Sequence, residues 1–281
     1  MRFGCGLLYD AKCIDLSFSY KNALEDQKMD RKNNMIDTIL FDLDGTLLQF
    51  SQSDFISEYF AKLGKVFTRI GMDADQSVKA VWAGTKAMIL NDGILTNAER
   101  FWAVFATNLG LSDQKIKEVE ALCDGFYVNE FDTLKSLMIP SDIPKRLVKA
   151  MSAKGYSLVL ATNPLFPVCA VETRLRWIGL ELRDFRHVTH YGNSTFCKPN
   201  LGYFQEVFAE INKSPAQCLM AGNSPVEDMC ASALGAEAFL VTDCLENESG
   251  ADISLFRRGS LAELEAYLMS MPDIKFCESR L

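Results

Sequence analysis

The chain has 281 residues, which is long enough for one large or two modest domains with a full hydrophobic core. Its formal net charge of −8 argues against a general binder of nucleic acids or anionic membranes, because those partners favour basic surfaces. Nine cysteines without a C-x-x-C pair indicate free thiols in a reducing compartment, so we expect a cytoplasmic location. The chain has only two histidines, so it offers few ligands for a His-rich zinc site and few candidates for the base of a Ser-His-Asp triad. No apolar run is long enough to cross a bilayer.

The first 34 residues lack the basic start, apolar core and small-residue cleavage site of a secretory signal. Residues 22–34 are highly polar and precede a second methionine, Met35. We therefore predict that residues 1–34 form a disordered extension.

The first chemical motif follows an apolar run at residues 38–41, which is typical of a strand that is buried on both faces. Asp42 and Asp44 come directly after it, and Gly45 allows a sharp turn. Two carboxylates this close repel each other unless a cation or a shared proton intervenes, and a bound Mg²⁺ is the simplest solution. A plain helix N-cap is the alternative interpretation of the same residues.

Residues 51–140 have the periodicity of four amphipathic helices. The third helix begins with Thr96 as N-cap and Glu99 three residues later, a capping box, and it ends at Gly110. We predict an inserted helical bundle whose aromatic stripe forms its core.

From residue 141 onward, helices alternate with apolar runs at residues 156–161, 187–189, 217–221 and 238–241. The helix between the last two runs is predicted over residues 226–234. This alternation predicts an α/β fold, a parallel Rossmann-like sheet with helices on both faces. The core domain would combine residues 35–50 with residues 141–281, and ligands would bind beyond the carboxyl ends of the strands.

Each predicted strand end carries polar residues that complement those of the others. Taken alone, each group has an ordinary interpretation as a turn, a solvated lysine or a helix N-terminus. Together they supply a nucleophile, a hydroxyl donor, a cation and metal ligands to one crevice. These groups are Asp42 with Asp44, Thr162 with Asn163, Lys198, and Asn223 with Glu227 and Asp228.

In this order and spacing, the sequence resembles the haloacid dehalogenase superfamily, specifically the phosphatase-like members (subfamily I) with a helical cap inserted after the first motif. The resemblance covers residues 35 to about 245. The matching motifs are residues 41–46, Thr162, Lys198, and residues 222–223 together with Asp228.

The resemblance implies a magnesium-dependent phosphatase that hydrolyses a small phosphorylated metabolite through an aspartyl phosphate. Asp42 would attack phosphorus, and Asp44 would protonate the leaving oxygen and then activate water. Thr162, Lys198 and the main-chain amides near Leu43 and Asn163 would hold the phosphoryl oxygens. The Mg²⁺ ligands would be Asp42, the Asp44 carbonyl, Asn223 and Asp228.

The fourth motif departs from the family pattern because Asn223 stands where most members have Asp. Asp228 could then serve as the direct metal ligand, with Glu227 as a third possibility.

Relatives that dehalogenate lack the second aspartate, so Asp44 favours phosphoryl transfer. Three alternatives to the phosphatase stay open. A phosphomutase or a phosphonatase could use the same scaffold, and a cap lysine able to form an imine would favour the phosphonatase. The alternative that is not an enzyme is a binding or regulatory protein that keeps the fold but has lost catalytic turnover because Asn223 replaces the usual aspartate.

Overall fold

The structure is a computed structural model that describes residues 35–274, so the predicted extension at residues 1–34 lies outside the described residues. A six-stranded, fully parallel sheet with the order β3-β2-β1-β4-β5-β6 forms its centre. The strands are β1 (Thr38–Phe41), β2 (Ser157–Leu160), β3 (His187–Val188), β4 (Cys218–Gly222), β5 (Glu237–Val241) and β6 (Arg257–Gly259).

Strand β1 lies in the middle of the sheet, hydrogen-bonded to β2 on one side and to β4 on the other. Its side chains alternate between the two faces, as the pleat requires. Ile39 and Phe41 join one hydrophobic cluster, whereas Leu40 joins a second cluster on the opposite face. The predicted α/β fold is thus confirmed, and the strand order reverses at β1, where such sheets leave a crevice at their carboxyl ends.

Helices cover both faces of the sheet and also form the insert. The helices are α1 (Gln52–Arg69), α2 (Ala74–Ile89), α3 (Asn97–Leu109), α4 (Asp113–Val128), α5 (Ile143–Lys154), α6 (Val168–Trp177), α7 (Leu201–Glu210) and α8 (Leu261–Ser270). The predicted helix at residues 226–234 is instead a turn followed by a 3₁₀ segment, Met229–Leu234, which ends at Gly235 in the left-handed conformation. None of the described helices is long and apolar enough to pass through a bilayer.

Helices α1 to α4 and a 3₁₀ segment, Glu130–Leu137, lie between β1 and α5, and we call residues 51–140 the cap. The predicted capping box is present, since Thr96 and Glu99 satisfy each other's main-chain N–H groups at the start of α3. The chain enters and leaves the cap side by side: Phe50 and Met138 form an antiparallel bridge, and Ile139 N–H donates to the Gln49 carbonyl at 2.8 Å.

Candidate active site

The end of β1 is held on both sides by main-chain hydrogen bonds. The Asp42 N–H donates to the Ala221 carbonyl at 2.9 Å, and the Ala161 N–H donates to the Phe41 carbonyl at 2.8 Å. The carboxyl ends of β1, β2 and β4 therefore lie at one edge of the sheet, and the residues that follow them share one site.

Gly45 makes the turn after the two aspartates, with φ of +80°. A Cβ on Gly45 would lie 2.1 Å from Nδ2 of Asn223, so a side chain would displace that amide. The neighbouring Thr46 hydroxyl donates to Asn223 Oδ1 at 3.2 Å, which ties the first motif to the fourth.

Lys198 lies between two carboxylates and is only 1% exposed. Its Nζ donates to Asp42 Oδ1 at 2.9 Å and to Asp228 Oδ1 at 2.6 Å. Asp228 Oδ2 accepts the Ser224 N–H at 2.9 Å, so both of its oxygens are engaged. The Tyr203 ring lies beneath the ammonium group, 5.7 Å from Nζ to the ring centroid. The solvated-surface interpretation of Lys198 is therefore wrong.

Burial and neighbouring charges set the titration of this group. Burial raises the pKa of Asp42 to about 7, Lys198 opposes that rise, and the charges of Asp228 and Asp44 add to it. Burial also disfavours the charged form of Lys198, but Asp228 and Asp42 outweigh this and hold its pKa well above the usual value. The lysine is thus a fixed cation beside the predicted nucleophile.

The loop after β2 is fixed through the Thr162 carbonyl. This carbonyl accepts hydrogen bonds from the Thr189 hydroxyl at 2.6 Å and the Tyr203 hydroxyl at 3.0 Å. Next to it, Asn163 Nδ2 donates to Glu227 Oε2 at 2.9 Å. The second and fourth motifs are therefore joined side chain to side chain across the crevice.

Asn223 uses both ends of its amide within the protein and is 2% exposed. Its Oδ1 accepts from Thr46, and its Nδ2 donates to the Cys244 carbonyl at 2.8 Å. An aspartate here would place an anionic oxygen against that carbonyl, since a carboxylate has no donor. The departure from the family pattern therefore fits a local hydrogen bond that only the amide can make.

Asp44 forms an ion pair with Arg174 of helix α6, a residue that the sequence analysis missed. Arg174 is 0% exposed, and its Nη1 donates to Asp44 Oδ2 while its guanidinium carbon lies 4.4 Å from the Phe166 ring centroid. Among the described residues, Asp44 Oδ1 has no hydrogen-bond partner, although it is buried. One oxygen of Asp44 is thus held by Arg174, and the other is unpaired among the described residues.

The sequence did contain a signal for Arg174. Ala170 and Val171, four and three residues before Arg174, are buried on the same face of α6. A charged residue at an apolar position of an amphipathic helix needs a buried partner, and that requirement marks it as a site candidate.

Glu246 is a second residue that the sequence analysis missed. Its N–H donates to the Asn223 carbonyl at 3.0 Å, and its carboxylate lines the site. Burial is the main cause that raises the pKa of Glu246 to about 8, and the negative charges of Glu227, Asp42 and other carboxylates add to the rise. It lies in an irregular segment after β5, where no motif spacing pointed to it.

Carboxylates outnumber cations at this edge of the sheet. Within residues 35–274 no three acidic, His or Cys side chains are gathered tightly enough to hold a metal ion by themselves. The acidic side chains that line the site at the strand ends are Asp42, Asp44, Glu227, Asp228 and Glu246.

One cavity of about 200 Å³ runs from these groups into the cap. The predicted residues Asp42, Asp44, Thr162, Asn163, Asn223 and Asp228 all line it. Lys198 joins them through its hydrogen bonds. Leu43 is buried, and its N–H donates to no described residue, so the main chain can contribute here. The predicted site residues come together, while their individual roles stay predictions.

The haloacid dehalogenase-like hydrolase family matches residues 36–233 of the sequence. The chain belongs to this family of hydrolases. A search of curated proteins found no significant match.

Several solved structures share the fold of this hydrolase. A HAD phosphatase from Thermococcus onnurineus has 17% identity and a TM-score of 0.53, covering 85% of this chain and 100% of the other. A β-phosphoglucomutase from Clostridium difficile has 14% identity and a TM-score of 0.51, covering 87% and 96%. The L-2-haloacid dehalogenase RSc1362 has 13% identity and a TM-score of 0.51, covering 84% and 100%. At these identities the likeness establishes the fold alone.

Proposed function

We propose that this hydrolase is a magnesium-dependent phosphatase that cleaves a small phosphate monoester through an aspartyl phosphate on Asp42. The observation that carries the proposal is the arrangement of Asp42 at the cavity floor. Lys198 holds its Oδ1 at 2.9 Å, which leaves Oδ2 for an incoming phosphorus, and Asp44 stands two residues away with one oxygen unpaired.

In the first step, Asp42 Oδ2 attacks phosphorus and the bond from phosphorus to the ester oxygen breaks. The acid form of Asp44, with its proton on Oδ1 and its Oδ2 still held by Arg174, gives that proton to the departing oxygen, so that an alcohol leaves and Asp44 becomes a carboxylate. Arg174 acts as a positioning residue, because it holds Asp44 Oδ2 and so directs Oδ1 towards the leaving group.

In the second step, Asp44 takes a proton from water, and the resulting hydroxide displaces Asp42 from phosphorus. Inorganic phosphate leaves, and both aspartates regain their starting forms. Lys198 balances the added negative charge in both steps, and the main-chain N–H of Leu43 and the Thr162 hydroxyl are donors for the phosphoryl oxygens.

The donor set fits a divalent cation. Mg²⁺ is usually held by one or two carboxylates together with carbonyl oxygens, waters and substrate phosphate, so it needs no cluster of three acids. Asp42, the Asp44 carbonyl and Asn223 Oδ1 are the proposed ligands, with Glu246 or Glu227 as the additional carboxylate. Asp228 fits less well, because Lys198 and Ser224 already engage both of its oxygens. The bound ion would neutralise the phosphate and polarise it towards attack.

Contacts at the site also bear on the alternatives. An imine-forming phosphonatase needs a lysine in the cavity, yet none of the described lining residues is a lysine. Asp44 favours a phosphatase over a dehalogenase, because a halide leaving group needs no acid. A mutase would transfer the phosphoryl group to a second substrate instead of water, and the experiment below distinguishes the two activities.

The test is phosphate release by purified full-length protein from acetyl phosphate and methyl phosphate, with Mg²⁺ or with EDTA. We expect turnover only with Mg²⁺, and a loss of about 10⁴-fold or more in Asp42→Asn, since removing a nucleophile has effects of that order. Asp75→Asn, which alters an exposed carboxylate, is the matched control. Borohydride reduction during turnover should convert residue 42 to homoserine, read by peptide mass spectrometry. Turnover that survives in Asp42→Asn would refute the mechanism, and phosphate release only with a second acceptor would favour a mutase.

A further inference from the structure

The cavity above the strand ends changes character as it enters the cap. Its floor is acidic, whereas its walls consist mainly of aromatic and aliphatic side chains from the four cap helices. Phe60 of α1 and Trp82 of α2 stack with their ring centroids 4.8 Å apart. Phe101 and Phe105 of α3 stack at 5.8 Å. The part of a substrate that lies beyond the phosphate therefore meets apolar surface.

Several polar side chains in the upper cavity are neutral and paired within the protein, whereas Nε1 of Trp102 is buried without a hydrogen-bond partner among the described residues. The hydroxyls of Tyr59 and Tyr127 are 2.6 Å apart and hydrogen-bonded to each other. The Thr85 hydroxyl donates to the Val81 carbonyl at 2.9 Å. Burial raises the pKa of Cys123 to about 12, so its thiol stays protonated at neutral pH. A ligand hydroxyl here would lose its water and find few free partners.

The charge of the lining excludes a second anionic group. None of the described residues that line the cavity is Lys or Arg, and the one charged cap residue among them is Asp124. A substrate carboxylate or second phosphate in the cap would thus be buried beside an anion without a counter-ion, which is unfavourable.

We infer that the alcohol portion of the substrate is a compact, uncharged apolar group, such as a cycloalkyl or arylalkyl group, rather than a sugar or a carboxylic acid. The inference rests on the proposed phosphatase activity and names its substrate class. The cavity volume of about 200 Å³ has to hold both the phosphate at the floor and the alcohol portion in the cap, which limits that portion to a compact group. An apolar protein cavity of about 150 Å³ is enough to bind benzene. A six-membered ring with a short linker to the phosphate therefore fits.

The experiment compares cyclohexylmethyl phosphate with glucose 6-phosphate, two primary phosphate esters with six-membered rings that differ mainly in hydroxyl groups. We expect kcat/KM to favour cyclohexylmethyl phosphate by about 100-fold or more, since a single hydroxyl in an apolar pocket is worth about 100-fold. Methyl phosphate reports the phosphatase activity itself, because it does not reach the cap. Equal or better turnover of glucose 6-phosphate, with methyl phosphate active, would overturn the inference and leave the proposed function standing.

Variants of α2 link the selectivity to the cavity. Val81 is a buried wall residue, and Val81→Phe fills the space, as would the milder Thr85→Leu. We expect either to lower kcat/KM for cyclohexylmethyl phosphate by about 10-fold more than kcat/KM for methyl phosphate, with thermal denaturation as the check on folding. Lys79→Phe on the exposed side of α2 is the control and should change neither. Parallel losses for both esters in Thr85→Leu would contradict the assignment of the cavity.

Binding tests the inference without turnover. The non-hydrolysable phosphonates of the same two alcohols can be titrated with Mg²⁺ while the fluorescence of the wall residues Trp82 and Trp102 is followed. If no ester is hydrolysed, a cyclohexyl preference of about 100-fold in this titration supports the substrate class although the proposed function fails. The absence of such a preference overturns it.

Discussion

The floor and the cap of the cavity are built on different principles. On the floor, polar groups from separate strand ends are held by specific pairings, and Asp42, Lys198 and Asp228 form one hydrogen-bonded chain. In the cap, aromatic side chains stack within and between helices, and Asp124 is the one charged cap residue among those that line the cavity. The main chain of the sheet thus positions the polar groups of the floor, whereas side chains of the cap helices determine the shape of the upper cavity. Substitutions can therefore disrupt the floor or the cap separately.

The largest expected effect comes from removing the cation of the floor. Lys198→Met leaves Asp42 and Asp228 buried without their counter-charge, so we expect the free energy of unfolding to fall by about 3–5 kcal/mol, together with a loss of activity. Urea denaturation measures the change. Lys65→Met, at an exposed position of α1, should be neutral. Adding Asp228→Asn to Lys198→Met removes one of the unpaired buried charges and should restore part of the stability. If the double variant is no more stable than Lys198→Met, unpaired charge is not the cause of the loss.

The next effect separates positioning from binding. Arg174→Lys keeps a positive charge but loses the planar group that anchors Asp44, so we expect kcat to fall by about 100-fold with little change in KM. Steady-state kinetics on methyl phosphate give both constants. Arg183→Lys is the control, because its side chain is 80% exposed. A rise in KM without a loss in kcat would mean that Arg174 binds substrate rather than orienting the acid.

A smaller effect is expected at the fourth motif. Asn223→Asp removes the hydrogen bond to the Cys244 carbonyl and places a carboxylate against it, so stability should fall by about 1–3 kcal/mol without Mg²⁺. A bound cation would relieve this repulsion, and we expect saturating Mg²⁺ to recover much of the loss in thermal denaturation. Asn108→Asp makes the same change in an exposed amide that donates to a carbonyl at 2.8 Å. Equal stability of Asn223→Asp and wild type in EDTA would refute the explanation.

The smallest effect tests the cap. Tyr59→Phe leaves the Tyr127 hydroxyl buried without its partner at 2.6 Å, and we expect a loss of about 1 kcal/mol in the free energy of unfolding. The double variant Tyr59→Phe/Tyr127→Phe should be no less stable than the single one, because no orphaned hydroxyl remains. Chemical denaturation of the three proteins measures this. A further loss in the double variant would show that the Tyr127 hydroxyl has a second partner.

The sequence predicted the sheet core because its inner strands are continuous apolar runs. It did not predict β6, since Arg257 and Arg258 are exposed on an edge strand, where no apolar pattern is required. The 3₁₀ segment Met229–Leu234 was read as a helix because its apolar spacing fits both forms.

The site was predictable where residues follow strand ends, because topology brings those ends together. Glu246 was not predictable, because it lies in an irregular segment, and the apolar neighbours of Arg174 indicate a buried charge without identifying Asp44 as its partner. Their roles depend on tertiary contacts that no spacing encodes. The pairing of Asn223 with Cys244 is of the same kind, since 21 residues separate the two partners.

The hydrogen bond from the Asp42 N–H to the Ala221 carbonyl has a consequence for how activity is lost. It closes the end of the central strand, so the proposed nucleophile is pinned between β1 and β4. Bonds at the centre of a sheet open only when the whole unit unfolds, whereas peripheral segments fluctuate on their own. Local fluctuations of peripheral segments would therefore leave the proposed nucleophile in place. Irreversible inactivation on heating should then follow the rate of global unfolding.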